Sequence, residues 1–465
     1  MGVAAKDGVR DGTGEFQSAP RASLPFVWSH TPCRGSCNHQ RCGPCRKIFA
    51  ANRIFRVPTL GLEVRISAPA ANATSRPNAA TFDERRPGTR KPRLSSGTRI
   101  VICGGGAIGA AIAYFTSRRG ARSTVIERHA VAGAASGKSG GFLALDWCGG
   151  SPLDRLARRS FELHAELSAE LGDPWGYRRL TTYGGYAAED DTSRGAGGRP
   201  WLADGVAITS QLGSPETTAL VEPRAFTTGL MHAAQAHGAV LQHGTVVDLL
   251  RSPSGAVRGV ALAGGEIVEG DAVVIAMGPW SILAARWLPL PAVIGYKGHS
   301  LVFETGGTIP AEALFLEYRA ANGEILTPEL FPRADGTTWV CAISTIGPLP
   351  LDPNDVAADE GAHVRLEALC RNISPTLAAA PIKARQACFR PVTEDGLPVI
   401  GAVAGIDGAY VATGHSVWGM LNAPATGEAM GELIMDGGAR RVDLAPFAPG
   451  RLPPLDPARL RGASG

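Results

Sequence analysis

The sequence contains no apolar run long enough to cross a membrane. Its longest run, residues 100–115, is broken by glycines and is shorter than the roughly 20 residues that a membrane-spanning helix needs. We therefore expect no transmembrane segment. The apolar fraction of 44% and the charged fraction of 19% are typical of a globular protein. A chain of 465 residues is long enough for two or three domains.

An excess of basic residues is also lacking over most of the chain. Residues 98–465 carry 30 Lys and Arg against 36 Asp and Glu, whereas residues 1–97 carry 16 against 6. The larger part of the chain thus has no surplus of positive charge to attract phosphate backbones. We expect no nucleic-acid partner.

The cysteines do not form a regular disulfide framework. Five of the nine are scattered, at Cys103, Cys148, Cys341, Cys370 and Cys388. Such a scatter is typical of a reducing compartment. We therefore predict an intracellular protein.

The other four cysteines lie close together near the N-terminus, at Cys33, Cys37, Cys42 and Cys45. Only four residues separate the two pairs, whereas structural zinc sites usually separate them by about a dozen or more. We interpret the four as incidental thiols and predict no metal, with zinc binding as the alternative.

Residues 1–97 form a basic leader with little hydrophobic periodicity, which we expect to be disordered. Its Arg and Ser enrichment is typical of an organelle-targeting peptide. A chloroplast transit peptide is one interpretation, and a mitochondrial or cytoplasmic location is the alternative. Three early acidic residues, Asp7, Asp11 and Glu15, count against a transit peptide. At the other end, residues 443–465 are predicted to be a Pro-rich tail.

The most informative stretch, residues 99–128, predicts a dinucleotide site. An apolar strand at 100–103 leads into GGGAIG, and a small-residue helix follows. Gly104, Gly106 and Gly109 match the G-x-G-x-x-G pattern, whose glycines permit a tight turn, close approach of a pyrophosphate and helix packing. A second strand ends on Glu127, 23 residues after Gly104. That spacing is close to the roughly 20 residues expected for the acid that binds a ribose hydroxyl.

Beyond this unit the hydrophobic pattern alternates between strands and helices. Helices are predicted at 153–171, 226–237, 360–371 and 419–435, and strands at 244–250 and 272–277 with a hairpin at 259–269. Because apolar strands of the same type recur far downstream, we expect one domain interrupted by another. We assign residues 98–176, 222–290 and 384–442 to the dinucleotide domain, and residues 177–221 and 291–383 to a substrate domain.

Four stretches resemble the FAD-dependent oxidoreductases of the D-amino acid oxidase, glycine oxidase and sarcosine oxidase superfamily, most closely its uncharacterised plant and fungal members. They are CGGGAIGAAIAYF, AASGKSGGFLALDWC, VVIAMGPWS, and CFRPVTEDGLPVIG followed by YVATGHSVWGMLNAPATGEAMGELI. The resemblance covers about residues 98–440. It implies an α/β fold with FAD as cofactor. In that fold a Rossmann-type FAD-binding domain, like that of glutathione reductase, is interrupted by an α+β substrate domain with a mixed or antiparallel sheet.

The resemblance also implies cofactor contacts along the whole chain. It implies that the helix starting near Gly419 meets the flavin ring, where the positive end of the helix dipole would stabilise the reduced flavin. The implied cofactor-binding residues are Gly104, Gly106, Ala107, Ile108, Gly109, Glu127, Arg128, Ser136, Ser139, Gly140, Gly141, Val247, Gly278, Trp280, Cys388, Asp395, Gly414, Gly419, Met420 and Leu421. Cys388 stands where sarcosine oxidases attach the flavin covalently, whereas glycine oxidases lack this cysteine. Both modes of attachment stay open.

The implied reaction is oxidation of the C–N bond of an amine or secondary amino acid by hydride transfer to flavin N5. Oxygen or an electron carrier would accept the electrons afterwards. Arg390 stands where glycine oxidase relatives bind the substrate carboxylate, a task that suits a planar guanidinium. His415 is assigned to the flavin edge or the substrate, and Lys297 to the neighbourhood of N5. For each of these residues, a purely structural role is the alternative interpretation.

The sequence departs from its relatives after Gly414-His415. Relatives that use amino acids usually carry a second basic residue there, whereas this chain reads Ser416-Val417-Trp418. Trp418 therefore favours a flatter or more apolar substrate. The alternative function is a flavoprotein whose FAD is mainly structural, acting in complex assembly or trafficking.

Overall fold

The computed structural model describes residues 97–189 and 198–460. The predicted leader and its cysteine cluster lie outside the described residues. Seven α-helices form within the described ranges: α1 (Ala107–Ser117), α2 (Ala135–Lys138), α3 (Asp154–Leu171), α4 (Pro223–Ala236), α5 (Ala362–Ile373), α6 (Pro375–Ala379) and α7 (Gly419–Asp436). Short 3-10 turns lie at Gly278–Arg286, Pro353–Asp355, Ser416–Trp418, Ala445–Phe447, Pro449–Arg451 and Pro457–Leu460.

A six-stranded sheet carries the predicted dinucleotide unit. Its strands are β1 (Arg99–Cys103), β2 (Arg122–Glu127), β8 (Val240–His243), β12 (Ala272–Ile275), β19 (Val399–Ala402) and β20 (Ala409–Thr413). They lie in the order β19-β20-β12-β1-β2-β8. All neighbours are parallel except β19 and β20. The central strands are almost entirely apolar, as expected of a parallel sheet covered on both faces.

The two faces of this sheet pack against different layers. Ile100 and Ile102 of β1 join a core with helices α1, α3, α4 and α7. Val101 and Cys103 face the other way, into a core with a small antiparallel sheet. That sheet consists of β9 (Val246–Arg251), β10 (Val257–Leu262) and β11 (Ile267–Glu269). Helices on one side and a small sheet on the other thus enclose the dinucleotide unit.

A second large sheet is built mainly from the later part of the chain. Its strands are β5 (Thr181–Ala188), β6 (Ala207–Gly213), β13 (Ile294–Glu304), β14 (Glu312–Arg319), β15 (Ile325–Leu326), β16 (Glu329–Pro332), β17 (Thr337–Ile346) and β18 (Ile382–Val392). The main path runs β18-β13-β17-β16-β14-β5-β6, and β15 pairs with β14. Only the β14–β5 pair is parallel. Helices α5 and α6 cover one face of this sheet, and the sheet and these helices together form the second module. The other face is turned toward the six-stranded sheet and its covering layers, which form the dinucleotide module.

Two segments differ from the predicted division. Residues 384–392 were assigned to the dinucleotide domain, but they lie in β18, whose long ladder with β13 makes it the edge of the second sheet. The predicted tail, residues 443–465, is described as far as residue 460 and packs against the rest of the protein. Arg451 pairs with Asp395, and the Leu455 amide donates to the Leu290 carbonyl.

The remaining strands form a small sheet between the two modules. It contains β3 (Phe142–Ala144), β4 (Arg178–Arg179) and β7 (Thr218–Leu220). Within the described ranges, no helix combines the length and the apolar character that a membrane span requires.

Candidate active site

The glycine motif forms the turn between β1 and α1. Gly104 has a φ of +113°, and a Cβ added there would lie 2.5 Å from the carbonyl oxygen of Ala276. A Cβ at Gly109 would lie 1.9 Å from the Gly104 carbonyl oxygen. Only glycine fits either position. The contacts bring the start of α1 against the ends of β1 and β12.

Two side chains fix the backbone of this turn. The Gly105 amide donates to Glu127 Oε2 at 2.7 Å, and the Ala107 amide donates to Ser136 Oγ at 2.9 Å. No side chain caps α1 at Gly106. A helix N-terminus that follows a glycine turn and has an acid beside it fits the pyrophosphate and ribose of a dinucleotide. The glycine motif, Ala107, Ile108, Glu127 and Ser136 are thus brought together.

Arg128 and Trp280 contact the same loop of the second module. Arg128 Nη1 donates to the Leu351 carbonyl at 2.6 Å, and Trp280 Nε1 donates to the Pro350 carbonyl at 2.8 Å. Asp352 accepts a hydrogen bond at 2.6 Å from Nε2 of His129, the residue after Arg128. Residues 350–352 therefore close over the end of β2.

Two further residues of the implied cofactor-binding set, Val247 and Gly278, lie on the dinucleotide module. Val247 lies in β9 and is 46% exposed. Gly278 begins a 3-10 turn with a φ of +55°, and its carbonyl accepts a hydrogen bond from Thr413 Oγ1 at 2.9 Å. Their roles toward the cofactor stay predictions.

Several buried polar atoms lie in the segments that the resemblance assigns to the flavin ring. They have no hydrogen-bond partner among the described residues and belong to Ser139 (Oγ), His415 (Nδ1), Ser416 (Oγ) and Asn422 (Oδ1 and Nδ2). Burying such atoms unpaired is costly. A group with donors and acceptors along its edge, such as the flavin ring, fits this set. These residues, and those at the glycine turn, would therefore hold FAD.

The start of α7 is shaped by the loop before it. Gly414 has a φ of +78°, and a Cβ there would lie 2.8 Å from Thr393 Cγ2. Gly419 is the first residue of α7, which has no side-chain cap. His415 is held against Thr426 by a 3.1 Å contact between Nε2 and Oγ1. Burial lowers the pKa of His415 to about 3, so its imidazole is neutral.

His164, which the sequence analysis did not single out, supports the same helix start. From α3, its Nε2 donates to the carbonyl oxygens of Met420 and Leu421, at 3.1 and 3.2 Å. Burial lowers its pKa to about 4. A neutral histidine in a helix gives no sequence signal of this role, because its partners lie more than 250 residues away.

Arg390 lies on the face of the second sheet that is turned toward the dinucleotide module. Its Nη2 donates to Ser344 Oγ at 2.5 Å, and its guanidinium lies over the Tyr296 ring, 5.2 Å from the centroid. The turn Ser416–Trp418 packs against the same strand, β18. Arg390, His415 and Trp418 are thus brought to one region.

An aromatic cluster lines the space between the two modules. Trp147 lies 6.5 Å from Trp418 and 5.0 Å from Phe315, centroid to centroid. Phe331 stacks on Trp339 at 5.3 Å. A Cβ at Gly140 would lie 2.4 Å from the Phe331 ring, so glycine is needed for the loop to approach this wall.

The loop at residues 138–141 is tied to both modules. Its Lys138 carbonyl accepts from Trp339 Nε1 at 3.0 Å, and its Ser139 carbonyl accepts from Arg333 Nη2 at 2.7 Å. Gly141 has a φ of +83°, and a Cβ there would lie 2.0 Å from the Val221 carbonyl oxygen. The loop is therefore held in a fixed position between the two modules, and its contact with the flavin stays a prediction.

Lys297 is not brought to this site. It faces the opposite side of β13, where its Nζ lies 2.7 Å from Asp359 Oδ1. Arg390 pairs with Tyr296 in the β13–β18 ladder, whereas Lys297 pairs with Phe389. Side chains alternate between faces along a strand, so the one-residue offset separates Lys297 from Arg390.

Cys388 and Asp395 have different environments. Cys388 lies on the same face as Arg390, and burial raises the pKa of its thiol, which keeps it protonated. The Asp395 carboxylate is bound on both oxygens by Arg451, at 2.7 and 3.0 Å. Asp395 thus anchors the C-terminal segment. Among the described residues, no group of three or more His, Cys, Asp or Glu side chains could hold a metal ion.

Comparison with known protein sequences finds one matching family and several similar oxidoreductases. A family described as "FAD dependent oxidoreductase" matches residues 99–433. A Schizosaccharomyces pombe protein provisionally named an oxidoreductase is 28% identical over 379 residues, covering 76% of this chain and 97% of its own length. Glycine oxidase of Pseudomonas aeruginosa is 28% identical over 381 residues, covering 76% and 99%.

A solved structure agrees with these sequence matches. The crystal structure of glycine oxidase from Geobacillus kaustophilus superposes with a TM-score of 0.64 at 25% identity, covering 76% of this chain and 98% of the other. The cofactor and enzyme class predicted from the sequence are thereby confirmed. The chain belongs to the FAD-dependent oxidoreductase family that includes these oxidases.

Proposed function

We propose that this enzyme oxidises the C–N bond of a small amino acid or related amine whose carboxylate binds Arg390. The placement of Arg390 carries the proposal. It is half-buried and held by Ser344 and Tyr296, on a strand that contacts both α2 and the turn before α7. No carboxylate among the described residues forms an ion pair with it. Its remaining donors can therefore take a substrate carboxylate.

The relatives support this choice of substrate class. The Pseudomonas aeruginosa relative is named glycine oxidase, which is an enzyme for the smallest amino acid. Trp418 and the aromatic cluster around Trp147 form an apolar border of the pocket. This border favours a substrate with a flat or apolar substituent on its nitrogen or α-carbon.

The protein residues supply orientation and a water-poor environment. When bound, FAD supplies the acceptor for the two electrons that leave the substrate as a hydride during oxidation to an imine. Arg390 orients the substrate carboxylate, and the stacked aromatic side chains exclude water. The uncapped start of α7 presents the positive end of its dipole. Neutral His415 adds no charge there.

The test is reduction of the flavin in the full-length holoprotein under anaerobic conditions. Glycine, sarcosine and L-proline are compared with methylamine, dimethylamine and pyrrolidine, which lack the carboxylate. We expect the amino acids to bleach the visible band of oxidised flavin. Arg390→Met should lower the apparent second-order rate constant for the amino acids by about 10- to 150-fold, the range for a lost charge-assisted contact.

Arg385→Met is the matched control. Arg385 lies on the same strand but is exposed and pairs with Glu367, so its loss should leave flavin reduction unchanged. If Arg390→Met left reduction by the amino acids unchanged, the proposed anchor would be wrong. If none of the six compounds reduced the flavin, the alternative of a mainly structural FAD would be favoured.

A further inference from the structure

An acidic residue, Glu329, shares the sheet face of Arg390. In the strand ladders it pairs with Phe315 on one side and with Cys341 on the other. Both partners border the cluster that contains Phe331 and Trp339. Because directly paired residues lie on one face of a sheet, the Glu329 side chain is directed to the aromatic wall of the site.

Glu329 has no partner of its own within the described ranges: neither a hydrogen bond nor an ion pair engages its carboxylate. Burial raises the pKa of Glu329 to about 7, and the positive charge of Arg390 opposes that rise. The charges of Glu329 and Arg390 therefore interact electrostatically, although the two side chains form no ion pair. Glu329 is half-buried beside aromatic side chains, where a ligand with a positively charged nitrogen would compensate its unpaired charge.

The arrangement leaves an anion-binding and a cation-binding group on one face of the site. Arg390 on β18 is oriented by Ser344, while Glu329 lies three strands further along the sheet on β16, with β13 and β17 between them. A ligand that carries a carboxylate and a positively charged nitrogen would satisfy both groups. A simple carboxylic acid would leave Glu329 unpaired, and a simple amine would leave Arg390 unpaired.

We propose that Glu329 is a specificity-determining residue that accepts a hydrogen bond from the charged nitrogen of the substrate. Together, Arg390 and Glu329 select zwitterionic amino acids over carboxylic acids and over amines that lack a carboxylate. This inference rests on the proposed function, because it concerns the same site.

The test compares ligands that differ only in the charged nitrogen. Sarcosine is paired with methoxyacetate, and L-proline with (S)-tetrahydro-2-furoate, in which an ether oxygen replaces the nitrogen. Dissociation constants are measured on the full-length FAD holoprotein from the change in flavin absorbance, and anaerobically from the saturation of flavin reduction where the ligand is oxidised. We expect the wild-type protein to prefer the zwitterion within each pair.

The informative variant is Glu329→Gln, which keeps the shape of the side chain and removes its charge. It should raise the dissociation constant of the zwitterion by about tenfold or more, while the ether acid binds as before or more tightly. Glu329→Asp keeps the charge but withdraws the carboxylate, and it should also weaken the zwitterion selectively. Glu304→Gln, at the exposed end of β13, is the control and should change neither constant.

An unchanged preference in Glu329→Gln would overturn the inference. Equal tightening of both ligands would do the same, since it would make Glu329 only a counter-charge for Arg390. In either case the proposed function stands if Arg390→Met still weakens both ligands. If wild-type protein binds neither member of either pair, the proposed function fails and this inference fails with it. The flavin content of each variant verifies folding.

Discussion

At the scale of single residues, Asn422 carries a buried amide that the described part of the protein leaves unpaired. It is fully buried in α7, and neither atom of its amide has a partner among the described residues. Leaving a buried polar group unpaired costs about 1–3 kcal/mol. Because the resemblance implies that the start of α7 meets the flavin ring, we expect the amide to be satisfied when FAD is bound.

This leads to opposite effects of Asn422→Leu on the two forms of the protein. The apoprotein should gain about 1–3 kcal/mol in free energy of unfolding, because a side chain of similar size replaces an unpaired amide. FAD binding should weaken by about tenfold. Thermal unfolding of the apoprotein and holoprotein, and titration with FAD, measure both effects.

Asn372→Leu is the matched control, since the Asn372 amide donates to the Tyr318 hydroxyl at 2.9 Å. It should lower the stability of both forms without changing the affinity for FAD. Loss of stability in the Asn422→Leu apoprotein would contradict the prediction.

At the scale of elements, α1 and α7 pack closely through two glycines of α7. A Cβ at Gly427 would lie 2.6 Å from the carbonyl carbon of Ala111. A Cβ at Gly431 would lie 3.6 Å from Phe115 Cβ, which is an ordinary contact. The approach at Gly427 thus sets the position of α7, and through it the helix start at the site.

The two glycines should therefore respond differently to alanine. Gly427→Ala should lower the free energy of unfolding by about 1–3 kcal/mol, because backbone atoms of α1 must move. Gly431→Ala should raise it by up to about 1 kcal/mol, because alanine is the better helix former. Urea unfolding of both variants measures the difference. Equal effects would show that α1 and α7 are not closely packed at Gly427.

At the scale of the whole molecule, an ion pair helps to fasten the C-terminal segment to the body of the protein. Arg451 binds both oxygens of Asp395, in the loop between β18 and β19. Burial acts to raise the pKa of Asp395, but the hydrogen bonds and charge of Arg451 outweigh it and hold the pKa below its usual range. The pair connects the second sheet, the dinucleotide sheet and the C-terminal segment.

Arg451→Met should lower the free energy of unfolding at neutral pH by about 1–3 kcal/mol. The contribution of Asp395 is fully present above its unfolded pKa of about 3.9, and it is lost as the pH falls through the lower folded value. The difference between wild type and variant should thus shrink below about pH 4. Urea unfolding across this range measures it. A constant difference would contradict the assignment, and Arg459→Met, at an exposed position, should show no effect.

Local sequence determined the parts of this protein whose signals lie within a few turns of chain. The glycine turn, Glu127 and the helices Asp154–Leu171 and Gly419–Asp436 follow from nearby residues. Steric demands at Gly104 and Gly109 and the period of a helix act over short distances. The family resemblance and the cofactor depend on these same local motifs.

Tertiary structure decided which side chains share the site. Strand register placed Arg390 and Glu329 on one face and Lys297 on the other, and no local pattern encodes that register. His164, Ser344 and Asn422 gained their roles from partners or surroundings far away in sequence. The reason is physical: a side chain's burial and its partners are set by elements that pack together only after the chain has folded.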